Sequence, residues 1–104
     1  MRTILVPFYR NGRRRTVRLA PGERFSWYDY EDTEEGWVSE STTIYNDGGK
    51  IHREWIDRAN DCDGRLDRSG ESSWDGKTLN EYGFPDWKEI STSQRDYEAE
   101  AAGY

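Results

Sequence analysis

Residues 3–19 read TILVPFYRNGRRRTVRL, and this stretch decides the class of fold. Asn11-Gly12 stands between two β-prone runs and closes a two-residue hairpin, because both residues enter left-handed backbone space at low cost. A turn of that length pairs Arg10 with Arg13 and sets the register behind it. Phe8 then faces Arg15, Val6 faces Val17 and Ile4 faces Leu19 on one side. Tyr9 with Arg14, Pro7 with Thr16 and Leu5 with Arg18 occupy the other. The first side gathers most of the large apolar residues, which a slip of one position would scatter. Pro7 has no N–H to give to a ladder, so the first strand belongs at a sheet edge or leaves the ladder there.

Further along, Ala20–Glu23 reads as a turn and Arg24–Tyr30 as a third strand. Phe25 and Trp27 lie on one of its sides, Tyr28 and Tyr30 on the other. An acidic loop follows at 31–36, then a fourth strand over Trp37–Tyr45, a turn at Asn46–Gly49 and a fifth strand over Lys50–Arg58. The register of this second hairpin stays open between a two-residue Asp47-Gly48 turn and a three-residue loop. Asn60–Gly64 is another turn, followed by short β stretches at 65–68 and 72–74. The aromatics of Tyr82–Trp87 are expected to lid one end of the sheet. Ser91 with Gln94 is a capping-box signature, and Gly103 stands where a helix would stop. The expectation is a mainly β chain, with one domain over 1–90 forming a small antiparallel β-meander or partial barrel of about five strands. Residues 91–104 form a short C-terminal helix or a frayed tail, and the fold becomes α+β if that helix docks.

A length of 104 residues suits one core. Val, Ile, Leu and Phe together fall below the roughly one-fifth share at which disorder becomes a concern. The chain compensates with 5 Trp and 7 Tyr, rings that each bury about 150–250 Å². The core should therefore be thin and built from aromatic plates. Cys62 is the only cysteine, so no intramolecular disulfide staples that core, which points to a reducing cytosol. The apolar run from Ile4 to Tyr9 is too short for a signal peptide, and no stretch approaches the roughly 20 apolar residues of a membrane span. A soluble, cytoplasmic protein is expected, lying in the host cytosol if a phage encodes it.

Few constellations carry chemistry. His52 is the only histidine, and no nucleophile elbow brings Ser or Cys62 beside it. DRANDCDGRLD (57–67) resembles a calcium loop only superficially. Aligned on Asp61, Asp63 and Gly64, it puts Ala59 at the first ligand and Gly70 at the twelfth. One Cys and one His cannot complete a zinc tetrahedron. Aromatics beside carboxylates would suit stacking on sugars, but so thin a core offers little rigid cleft. The reading is a non-enzymatic protein with no catalytic residues, metal or cofactor.

Charge is the most specific signal. The net charge is -6, yet Arg2, Arg10, Arg13, Arg14, Arg15, Arg18 and Arg24 face only Glu23 within residues 1–24. Nearly all the acids follow. Carboxylates on alternate strand residues lie about 6.6–7 Å apart, a spacing comparable with successive phosphates. Asp29 with Glu31, and Asp61 with Asp63, could form such a row, extended by Asp32, Glu34, Glu35, Asp67 and Glu71. The expected partner is a protein with a basic, nucleic-acid-binding surface, met by Glu31, Asp32, Glu34, Glu35, Asp61 and Asp63 with Trp37 as anchor. The alternative is a nucleic-acid-binding module using Arg10, Arg13, Arg14, Arg15, Arg18 and Tyr9 of the hairpin. Basic hairpin and acidic loop together also permit a head-to-tail homodimer. In size, charge and lack of catalytic motifs, the whole chain resembles the small acidic proteins that phages and mobile elements encode against host defences, including anti-CRISPR proteins. That resemblance implies an inhibitor that occupies a partner's charged surface; it rests on no shared motif and assigns no residues.

Overall fold

The computed structural model describes residues 2–34, 36–61 and 64–96, with side chains at all of these except 61, 64–66 and 94–96. The chain is mainly β, in two antiparallel sheets with no closed barrel. β1 (Ile4–Arg10) and β2 (Arg13–Leu19) form a two-stranded sheet. β3 (Arg24–Thr33), β4 (Gly36–Asn46), β5 (Ile51–Asp61), β6 (Gly64–Trp74) and β7 (Lys88–Asp96) form a meander in that order.

The first hairpin has the expected register at every rung, from Ile4↔Leu19 to Arg10↔Arg13. Asn11 (φ 51°) and Gly12 (φ 73°) take the left-handed conformations that a two-residue turn demands. Pro7 is accommodated because β1 has a ladder partner on one side only. The apolar side of this hairpin lies on the front face of the large sheet. Ile4, Val6 and Leu19 meet Ile44, Ile51 and Trp74 there, with Val17, Phe25, Trp27 and Trp87 packed around them. Phe8 closes the layer against Trp27 and Phe25, at ring-centre distances of 4.5 and 5.4 Å. Asn46, almost wholly buried, ties the layers together: its Nδ2 donates to the carbonyls of Leu19 and Arg2, both at 2.9 Å.

Five expectations about local structure need correction. The acidic segment is mostly strand: β3 runs to Thr33 and β4 starts at Gly36, because β4 supplies a ladder that outweighs the weak β-propensity of Glu and Asp. The second hairpin has a four-residue connection, Asp47–Lys50, closed by the pair Asn46↔Ile51. Asp47 holds it, its Oδ1 accepting from the N–H groups of Gly49 and Lys50 at 2.8 and 2.6 Å. The two short stretches after Gly64 are one strand, β6, whose small residues Ser69, Gly70 and Ser72 are ladder-bonded on both sides. Ser91–Asp96 continue β7 rather than starting a helix, since pairing with β6 outcompetes a marginal three-turn helix; residues 97–104 lie outside the described residues. Finally, the 82–87 aromatics do not simply lid one end of the sheet: Trp87 joins the core beside Trp74, ring centres 6.1 Å apart, while Phe84 covers the outer side of the hairpin. Phe84 meets Tyr9 in a tilted contact, ring centres 5.5 Å apart and planes at 56°, and sits under the Arg14 guanidinium at 4.8 Å. Gly83 takes φ +81° in this segment, left-handed backbone that favours glycine. Among the described residues no helix is long and apolar enough to cross a membrane.

Candidate functional site

The meander brings two acidic turns, far apart in sequence, to one end of the large sheet. Thr33↔Gly36 closes β3–β4, Gly36 pairs with Asp61, and Asp61 pairs with Gly64 to close β5–β6. Neighbouring strands lie about 4.8 Å apart, so the two turns are adjacent. Thr33 Oγ1 donates to the Gly36 carbonyl and accepts from its N–H, both at 3.1 Å, which stiffens the first turn. Glu31, Asp32 and Glu34 are all exposed at this end. Asp61 contributes its backbone position, while Glu35 and Asp63 lie outside the described residues.

An aromatic pair stands beside these acids. Tyr30 and Trp37 are diagonal neighbours on the back face, stacked with ring centres 6.1 Å apart and planes 24° from parallel. The Tyr30 hydroxyl donates to Asp32 Oδ1 at 2.8 Å, and that bond pushes the phenol pKa above its ordinary value. Asp32 thus steadies the ring that Trp37 leans on. Tyr30 is 53% exposed, so the pair offers a flat apolar plate rimmed by carboxylates.

Among the described residues, Asp29 and Glu31 share a face as expected, but the acids meant to extend that row are spread over both faces. Glu31 and Asp32 are consecutive strand residues and project to opposite faces. Asp29 shares the front face with Glu31, but lies where the hairpin tip covers the sheet. Asp67 and Glu71 are half-buried on the back face, Asp67 Oδ2 standing 3.9 Å from Arg58 Nε and Glu71 opposite Glu54.

Sequence reasoning missed a second constellation. Asp29, Glu40, Asp57 and Arg68 form one front-face rung across four strands. They line an open groove of about 660 Å³ under the hairpin tip, together with Tyr9, Arg10 and Arg58. Glu40 is pushed up to about 7, chiefly by sharing a proton with Asp57, with burial and the Asp57 charge adding to it. Asp29 Oδ1, Asp57 Oδ1 and Arg10 Nε are shielded from solvent with no hydrogen-bond partner among the described residues. The signal was present in the sequence: Trp27-Tyr28-Asp29 and Trp55-Ile56-Asp57 each put a carboxylate two residues after a core-facing Trp. Two carboxyls close enough to share a proton leave no room for water or a sugar between them, so the pair lacks the roughly 5–9.5 Å separation of glycosidase acids.

The basic hairpin splits likewise. Arg14 is held by Phe84 and the Tyr82 carbonyl, and Arg10 lines the acidic groove. Arg13, Arg15 and Arg18 are exposed, with no salt bridge to an acid among the described residues. His52 supports a turn: its Nε2 meets Asp47 Oδ2 at 2.6 Å and its ring stacks on Tyr45 at 4.8 Å. The N–H groups of Lys50 and Gly49, aided by His52, hold the Asp47 carboxyl down at about 2. The former calcium-loop candidate is the β5–β6 hairpin, without flanking helices. No family model, curated protein or solved structure matches the chain.

Proposed function

We propose that this protein is a non-enzymatic binding module whose acidic sheet end engages a basic protein surface of the kind that holds nucleic acid, and so acts as an inhibitor in the cytosol. The observation that supports this most is the convergence of the 33–36 and 61–64 turns beside the Tyr30–Trp37 plate. Carboxylates on rigid strand ends steer a basic partner over a distance, and a half-exposed Trp beside them gives the contact an anchor. The resemblance in build to phage and mobile-element anti-defence proteins, including anti-CRISPR proteins, supports the same reading.

The test compares wild-type protein with Glu31→Lys/Glu34→Lys/Glu35→Lys and with Trp37→Ala in pull-downs from nuclease-treated bacterial lysate at low and high salt. The retained protein is then purified and titrated. Wild type should hold a discrete partner that salt releases and excess duplex DNA displaces; both variants should bind at least about tenfold more weakly, the charge variant unfolding at nearly the wild-type temperature and Trp37→Ala at a lower one but still folded at the temperature of the assay. Equal retention of all three proteins refutes the reading. Exposed Arg13, Arg15 and Arg18 support a second reading, a nucleic-acid-binding hairpin. Recovery of nucleic acid alone from untreated lysate, lost when these three become Ala, would favour it.

A further inference from the structure

β3 is the outermost strand of the five-stranded sheet, and its ten residues pair with β4 only. On the side away from β4, alternate N–H and C=O groups of Arg24–Thr33 face no strand among the described residues. Exposed edges of this length are ordinarily blunted by charged side chains, Pro or a bulge. β3 has no Pro or Lys, and the sheet's irregularity lies at Glu71/Ser72, between β6 and β7. What β3 does carry is opposite charge at its two ends, Arg24 at the start and Asp29, Glu31 and Asp32 towards the finish. Between them Tyr28 is 55% exposed.

We propose that β3 is the interface of a two-fold homodimer, in which two copies of the strand pair antiparallel about Tyr28 and make one continuous sheet. A two-fold axis perpendicular to the sheet keeps front face on front face, so each residue must meet one of the same parity. Centred on Tyr28, the register sets Arg24 opposite Asp32 of the second copy, twice over. It also sets Ser26 opposite Tyr30, Tyr28 opposite itself, Phe25 opposite Glu31 and Trp27 opposite Asp29. Centring one residue later places Asp29 against Asp29 and loses both Arg24–Asp32 rungs. Centring one residue earlier leaves Arg24 facing Tyr30 and Asp32 beyond the paired segment. Charge complementarity therefore selects one register. The Arg24 guanidinium lies over the Tyr45 ring at 4.7 Å, and Asp32 accepts the Tyr30 hydroxyl at Oδ1, which leaves Oδ2 for Arg24 of the second copy. Glu31 and Asp32 fall within the paired segment, so in the dimer Glu34 and the 61–64 end are what remains of the acidic end for a heterologous partner.

The experiment measures mass against concentration by light scattering or sedimentation, for the wild-type chain, Arg24→Asp, Asp32→Arg, and an equimolar mixture of the two variants. Wild type should dimerise. Each variant alone puts like charges at both rungs and should self-associate at least about tenfold more weakly. The mixture restores opposite charges at both rungs and should regain the wild-type mass. Thermal unfolding of each variant shows that it is folded. Hydrogen exchange on the unmodified protein reads the same edge without mutation: amides of Arg24–Thr33 should gain protection as concentration rises, and those of Lys88–Asp96 should not. A wild-type chain that stays monomeric overturns the proposal, as does a dimer that both variants leave intact or a mixture no tighter than its components. Protection of β3 only on adding another protein, with wild type monomeric, would give the edge to that protein instead.

Discussion

Replacing Gly70 with Ala should destabilise this protein, although strands ordinarily gain from that change. Gly70 faces Trp55 across the β5–β6 ladder, and the indole lies flat over the glycine. A Cβ at residue 70 would sit 2.5 Å from Cε2 and 2.7 Å from Nε1 of Trp55, and closer still to Cζ2. Carbon contacts settle near 3.5–4.0 Å, so the ring must withdraw by about 1 Å from the core-facing side of the sheet. Overpacking of this kind costs about 1–3 kcal/mol, while removing a strand glycine returns about 0.5–1 kcal/mol. The net loss is then about 1 kcal/mol at mid-range and at most about 2.5 kcal/mol, the mid-range value being roughly 4–8 °C in melting temperature for a domain of this size. Thermal unfolding followed by circular dichroism and tryptophan fluorescence measures it. The decisive arm repeats Gly70→Ala in a Trp55→Ala background, where the clash is gone and the alanine should stabilise by about 0.5–1 kcal/mol. The same loss in both backgrounds, or no loss in the wild type, would refute the packing of Trp55 on Gly70.

Two further outcomes follow from buried polar groups. Glu40 has its folded pKa raised to about 7, so the native state binds this proton more tightly than the unfolded chain does. Its contribution to stability is full below about pH 4.3, the ordinary glutamate value, and is lost as pH rises through about 7. Glu40→Gln should flatten stability against pH across that window and leave the variant more stable than wild type at pH 8; parallel curves would refute the shared proton. Glu40 is only half-buried, so solvent screens it and the change of slope is the readout. Asn46→Ala strips the donor from the Leu19 and Arg2 carbonyls and the acceptor from the Gly48 N–H. Urea denaturation should show a loss of about 2–4 kcal/mol, and a loss under about 1 kcal/mol would mean that Asn46 does not join the two sheets.

What the sequence determined alone was local. Asn11-Gly12 set a whole hairpin register because a two-residue turn leaves no freedom in what pairs behind it, and the placing of Phe25 and Trp27 against Tyr28 and Tyr30 followed from strand alternation. The strand character of 31–33, of 69–71 and of 91–96 was hidden, since Glu, Asp, Ser and Gly have little intrinsic preference for extended structure. Neighbouring strands supply the hydrogen bonds that decide those segments. The same holds for function. Individual acids could be named from the sequence, but only the ladder Gly36↔Asp61↔Gly64 sets two acidic turns side by side, and only the overlay of hairpin on sheet encloses Asp29, Glu40 and Asp57. Proximity between residues distant in the chain is a property of strand order and register, and a proton shared between Glu40 and Asp57 exists only once β4 and β5 are paired.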